Sequence, residues 1–97
     1  MLRVKVHKAE GSVVVAACDS ELVGTKASQG RLRLDVCEGF YGGDEIEEDA
    51  LGNFLRMCTS ANLVGERCVA EAIRAGFVEE CSVMTIGGVP HAQLYRV

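Results

Sequence analysis

The residues of this 97-residue chain with chemistry to offer are few and far apart in sequence. Cys18 and His91 supply a thiol and an imidazole, a pair that catalyses when sulfur and ring nitrogen lie within hydrogen-bond reach. Asp19 and Glu21 stand beside that thiol and disfavour its thiolate. Cys18, Asp19 and His91 match no zinc spacing, so no metal is expected, and no cofactor motif is evident. Gly87-Gly88-Val89-Pro90-His91 is a second feature. Consecutive glycines can aim backbone N–H groups at an anion, and His91 after Pro90 would sit at a rigid corner. The plainer alternative is a hairpin turn that needs glycine for its geometry. A third group is Asn62, Gly65 and Arg67, preceded by Thr59 and Ser60. Amides at a helix start beside a guanidinium would hold a carboxylate or phosphate, whereas Thr, Ser and Asn there also read as simple caps. Phe40-Tyr41-Gly42-Gly43 is followed by Asp44 and Glu45, the wrong charge for a phosphate cradle.

Charge narrows the partners. The five carboxylates between Asp44 and Asp49 outweigh the whole net charge of −4, so a nearly neutral body carries one acidic knob. Domain-wide basicity of the kind that binds duplex nucleic acid is absent. Arg3 and Lys5 beside His7, with Arg31 and Arg33 further on, are read as a basic stripe on one sheet face or as an ordinary solvated face. No aromatic residue lies between them to stack bases.

The chain length suits one domain over residues 1–97, able to bury roughly 64% of its extended surface. Apolar and charged shares of 48% and 25% are those of a soluble protein. Val13 to Cys18 is the longest apolar run, far short of a membrane span of roughly 20 residues. Met1 to Lys5 alternates polar and apolar and does not look like a signal peptide. Five cysteines without a C-x-x-C pair read as free thiols in a reducing cytoplasm. Cys37, Cys58 and Cys68 continue apolar patterns and are read as core filler.

These groups must be positioned by secondary structure. Leu2, Val4 and Val6 alternate with Arg3, Lys5 and His7, which predicts a strand; a turn at Ala9 to Ser12 leads to an inner strand over Val13 to Cys18. A short extended piece is expected at Glu21 to Gly24, a polar loop at Lys26 to Gly30, and a strand through Leu32, Leu34 and Val36. Ile46, Ala50, Phe54, Leu55 and Cys58 recur at helical spacing, with the acidic residues in the first turns. Thr59 to Asn62 reads as caps, and a second helix runs through Val69, Ala72 and Ile73 to a terminator at Gly76. Extended chain is expected at Ser82 to Ile86 and again from Ala92 to Val97. The order is strands, two helices, strands. It favours an α+β fold, a two-layer sandwich with a mostly antiparallel sheet and both helices on one face. One parity of the valine-rich inner strand would then stay open, as a docking face for a protein or RNA partner or for a second subunit.

The segments Cys18-Asp19-x-Glu21-Leu22-x-Gly24, Phe40-Tyr41-Gly42-Gly43, Ala61-Asn62-Leu63-Val64-Gly65-Glu66-Arg67 and Thr85-Ile86-Gly87-Gly88-Val89-Pro90-His91-Ala92-Gln93 resemble an archaeal family of small proteins known only as a domain of unknown function. That resemblance covers nearly the whole chain and implies a stand-alone cytoplasmic α-β domain. It brings no substrate and no catalytic residue. The residues themselves favour a non-enzymatic binding module making contacts through the basic-rimmed sheet face and the Gly87–His91 corner, in a translation- or RNA-associated setting by analogy. The alternative is a small hydrolase or transferase using His91, with Arg67 holding an anionic substrate.

Overall fold

The structure is a computed structural model that describes residues 1–96. The alternating start forms β1 (Leu2–Ala9), and the apolar run forms β2 (Ser12–Asp19), joined through a turn at Glu10-Gly11. A single 3₁₀ turn, Ser20–Leu22, leads to a separate hairpin of β3 (Lys26–Gln29) and β4 (Leu32–Asp35). One turn of helix, α1 (Glu38–Tyr41), precedes the short β5 (Asp44–Ile46). A 3₁₀ turn, Glu48–Ala50, opens into α2 (Leu51–Leu55). Then come β6 (Ser60–Val64) and α3 (Glu66–Arg74), and a 3₁₀ turn at Glu80–Ser82 brings the chain to β7 (Met84–Ile86) and β8 (Val89–Tyr95).

The main sheet has six strands in the order β5-β1-β2-β6-β8-β7. Only β2 and β6 run parallel; the other neighbours are antiparallel. Residues opposite one another across a ladder share a face, so the register writes out each face in rows. Leu2, Val4, Val15, Ala17, Ala61, Leu63 and Ala92 lie on the first face and are buried under α2 and α3, against Leu51, Leu55, Cys58, Cys68, Val69 and Ala72. The second face carries three rows: Arg3-Cys18-Val64-His91-Met84, Lys5-Ala16-Asn62-Gln93, and His7-Val14-Ser60-Tyr95.

That second face corrects the sequence reading. Ala16, Cys18 and Val64 have no exposure at all, because Leu34, Val36 and Tyr41 from the β3–β4 hairpin and α1 close over them. The inner strand is thus sealed on both sides at this end. The hairpin exists because Lys26 to Gln29 is strand and not loop, with Ala27 as its one inward apolar residue. Three other segments also differ. Glu21 to Gly24 begins in a 3₁₀ turn and is not extended, and the long helix expected from Ile46 is broken into β5, a 3₁₀ turn and α2. Asp44 and Glu45 therefore sit on an edge strand, away from any helix start. Thr59 to Asn62 leads into β6, a central strand whose five residues are too few and too polar at their start to show a period. Val97 of the last expected strand lies outside the described residues.

The basic stripe does not form in one sheet. Arg33 faces Ser28 in the hairpin, and Arg31 lies in the turn before β4. Arg3 is tied down in the main sheet, where its Nε donates to Gly43 O at 2.7 Å and its guanidinium lies 3.9 Å from Glu38.

Because the hairpin seals this end, Ala16→Leu has no room to expand. Urea unfolding should show a loss of about 1–3 kcal/mol. An open face would leave the midpoint unchanged.

Candidate functional site

Two neighbouring places gather the chemically able residues. The first is a cleft of about 200 Å³ at one end of the sheet, lined by Asp19, Glu21, Gly65, Arg67, Gly88 and Pro90 among others. Asp19 ends β2 on the parity that faces the helices. The parallel ladder sets Cys18 opposite Val64, so the Asp19 side chain reaches the start of α3. Its two oxygens accept the Arg67 N–H at 3.2 Å and the Cys68 N–H at 2.8 Å. These amides are among the orphan donors of the helix start, and a carboxylate there also meets the positive end of the dipole. The residue that starts the helix, Gly65, has no side chain to cap with. Its φ is +105°, and a Cβ on it would lie 2.5 Å from Asp19 Cγ. Glycine at 65 makes the space in which an aspartate from another strand does the capping.

Arg67 completes the cluster. It bonds Glu21, lies 3.4 Å from Glu48 through Nε, and stands 4.0 Å from Asp19. The hydrogen bond with Arg67 holds the Glu21 carboxyl below its ordinary range and raises Arg67 in turn. Amides and guanidinium expected to bind an external anion are here engaged by the protein's own carboxylates. The nearby Gly87-Gly88 corner is a two-residue hairpin loop between Ile86 and Val89. Both glycines have positive φ, 56° and 83°, as a type I′ turn requires, and the Gly87 N–H donates to Gln29 Oε1 at 3.0 Å.

The second place is the part of the second face that the hairpin leaves uncovered, over β6 and β8. Asn62 Oδ1 accepts from Gln93 Nε2 at 3.1 Å, and Tyr95 is 71% exposed. His91 and Met84 stand next to them around a hollow of about 280 Å³. Burial lowers the pKa of His91. Lys5 and Ser60 lie in the same rows, and among the described residues the only side-chain carboxylate on this face of the sheet strands is Glu45, at the far edge.

The structure separates the thiol from the imidazole. Cys18 and His91 share a row, but Val64 stands between them, which sets them two strand spacings or about 10 Å apart. Cys18 is fully buried, and burial first, then the Asp19 charge, pushes its thiol up to about 11. Arg67 lines the cleft while His91 lines the other hollow. Asn62 points to the open face and not to the helix start. Gly65, Arg67, Gly88 and Pro90 are brought together; Arg3, Lys5, Arg31 and Arg33 are not. Sequence reasoning missed Asp19 as a cap and missed Gln93 and Tyr95. The signal for Asp19 was a carboxylate ending an apolar strand.

Residues 7–97 match the family described as "Protein of unknown function (DUF424)". The chain belongs to the DUF424 family. A crystal structure of an uncharacterized conserved protein from Methanopyrus kandleri is similar at TM-score 0.83 and 28% identity, over 99% of this chain and 94% of that one. No curated protein matches. The family resemblance gains a spatial meaning. Three of its four segments, those containing Asp19, Gly65 and Pro90, meet at the cleft. The fourth, Phe40 to Gly43, lies over β1, where Phe40 stacks on His7 at 4.7 Å.

Two outcomes follow from this geometry. Gly65→Ala should lower stability by about 1–3 kcal/mol through backbone strain together with the clash on Asp19, and by less in an Asp19→Ala background, where the clash is gone and the strain remains. A thiol reagent at pH 8 should label Cys37 and Cys81, which are exposed, in the native protein. Cys18, Cys58 and Cys68 are buried, and burial raises all three pKa values. They should react only on unfolding.

Proposed function

We propose that this DUF424 chain is a binding module for single-stranded RNA, using the uncovered part of the sheet's second face. The observation that carries this reading is the composition of that surface. It holds an aromatic ring on Tyr95, a paired amide set on Asn62 and Gln93 and an imidazole on His91; the ammonium of Lys5 lies in the same row beyond the covered Ala16. In a chain with 14 acidic side chains, the strands of this area bring no carboxylate nearer than Glu45 at the far edge. Exposed rings stack on bases, amides read base edges, and cationic groups favour the backbone. A flat sheet face suits an unpaired strand better than a duplex, whose phosphates call for broad positive charge. The translation-associated setting expected from the sequence accords with this reading by analogy alone.

The hydrolase or transferase alternative asks His91 and Arg67 to meet on one substrate. They line different hollows, and Arg67 is bonded to Glu21 and Glu48. The binding reading therefore has the better support.

Fluorescence anisotropy with a short single-stranded oligoribonucleotide tests it. Binding should weaken with salt, and Tyr95→Ala should cost about 1–3 kcal/mol of affinity. The pH dependence has a definite sign. Burial depresses the His91 pKa below its ordinary 6.5, so the ring is neutral at pH 7 and gains charge only in more acidic buffer. RNA affinity should rise as pH falls through that depressed value, and His91→Gln should remove the rise. An affinity indifferent to Tyr95, or no binding at about 100 μM chain, would sink the proposal. Pull-down of the tagged protein from its host with and without ribonuclease gives the cellular counterpart.

A further inference from the structure

The chain's guanidinium groups divide by what they bond. Arg3, Arg56, Arg67, Arg74 and Arg96 each donate to a carbonyl, an amide oxygen or a carboxylate of the chain itself. Arg31 and Arg33 are exposed and have no such partner among the described residues. Both belong to the β3–β4 hairpin, Arg31 in its turn and Arg33 on β4 opposite Ser28.

Alternation fixes where the hairpin's side chains stand. Ala27 and Leu34 lie directly opposite one another and pack down onto the core of the second face. Lys26, Ser28, Arg33 and Asp35 therefore occupy the other side, and all four are exposed. A hollow of about 240 Å³ lies there, lined by Lys26 to Ser28 and Arg33 to Asp35. Between residues 26 and 35 the cations Lys26, Arg31 and Arg33 meet a single carboxylate, Asp35, in a protein of net charge −4. Free guanidinium groups, an ammonium and a hydroxyl are the donors that phosphate oxygens accept from.

The hairpin also borders the uncovered surface. Ile86 is buried beneath it, while Met84, two residues back on the same face of β7, is 49% exposed. Val64 is likewise covered and Asn62, two residues back on β6, looks outward. The flank of the hairpin thus runs along the Asn62, Gln93 and Met84 surface, and its outward face stands one layer, about 10 Å, above it.

We propose, resting on the single-stranded RNA reading above, that the outward face of this hairpin holds the phosphodiester backbone of the strand whose bases lie over β6 and β8. The work is then divided. Tyr95 and the Asn62–Gln93 amides meet bases, and Arg31, Arg33, Lys26 and the Ser28 hydroxyl meet phosphates where the strand climbs over the hairpin.

Fluorescence anisotropy of the full chain with one oligoribonucleotide, over a series of salt concentrations, tests this division. Each single-strand phosphate that is neutralised contributes about −0.7 to the slope of log K against log salt. Arg31→Gln with Arg33→Gln should therefore make the slope shallower by about 1.4. Binding should weaken about 25-fold at about 0.1 M salt and little at about 1 M. Both positions are exposed, so the circular dichroism spectrum should not change. Arg31→Lys with Arg33→Lys keeps the charges and should keep the slope. Lys8→Gln removes a charge on the parity of β1 that faces the helices and should leave the slope alone. Tyr95→Ala should lower affinity at every salt concentration with the slope unchanged, because a ring releases no counterions. Binding that needs Tyr95 but keeps its slope in the Arg31, Arg33 double glutamine variant overturns the hairpin's role and leaves the RNA reading standing. A slope that falls as far in Lys8→Gln reports net charge alone and overturns it too. No binding by the unaltered chain overturns both readings together.

Discussion

The Asp19 carboxylate on the first amides of α3 is the contact on which the rest of this structure is hung. It joins the end of β2 to the start of α3 through bonds of 2.8 and 3.2 Å. A carboxylate only 4% exposed survives there because helix amides replace its lost water. That bond sits at the end of the parallel β2–β6 ladder, where Gly65 follows β6 directly and passes close to Asp19. The Gly65 N–H in turn bonds Pro90 O, which fixes the entry of β8. One buried carboxylate thereby ties the end of β2 to the start of α3, beside the point where Gly65 holds the entry of β8. Arg67 then draws Glu21 and Glu48 across the top, closing the same corner from outside.

Closure of the second face follows a different logic. A strand with apolar residues on both parities needs cover on both sides, and among the described residues the two α-helices after α1, α2 and α3, are both used on the first face. The chain covers the remaining side with a four-residue-per-strand hairpin and one helical turn. That cover is small. It reaches Ala16, Cys18 and Val64 and stops short of Asn62, Gln93 and Tyr95, so one face of one sheet is core at one end and surface at the other.

How much of this is legible in the residues can be said element by element. The period-two start, the valine run, the α3 pattern through Val69 and Ala72, and the α+β class are visible because each is long enough to show its repeat. β6 is not, since Ser60-Ala61-Asn62 carries the same residue types as a helix cap, and only its place beside β2 makes it a strand. The helix expected from Ile46 fails because local spacing cannot see that Asp44 to Ile46 finds a partner in Leu2 to Val4. At the site, sequence finds Gly65, Arg67, Gly88 and Pro90 one by one but assigns them to an external anion. The missing fact is that Asp19, 46 residues before Gly65, fills that place. Long-range pairing of this kind leaves no local trace.

Alternation also lets the same short segments serve two ends. In Ala61 to Arg67, the residues Ala61, Leu63 and Gly65 build the core and the Asp19 corner, while Asn62 looks outward. In Thr85 to Gln93, Ala92 joins the core while His91 and Gln93 look outward beside Asn62. A role confined to holding the fold would account for the inward set and leave the outward set free to be any polar residue. The outward set is a bonded amide pair with an imidazole at its side, on strands whose described residues bring no carboxylate to this face nearer than Glu45. The RNA-binding reading proposed above accordingly uses the outward parity of β6 and β8, while the inward parity of the same segments belongs to the core and the Asp19 corner.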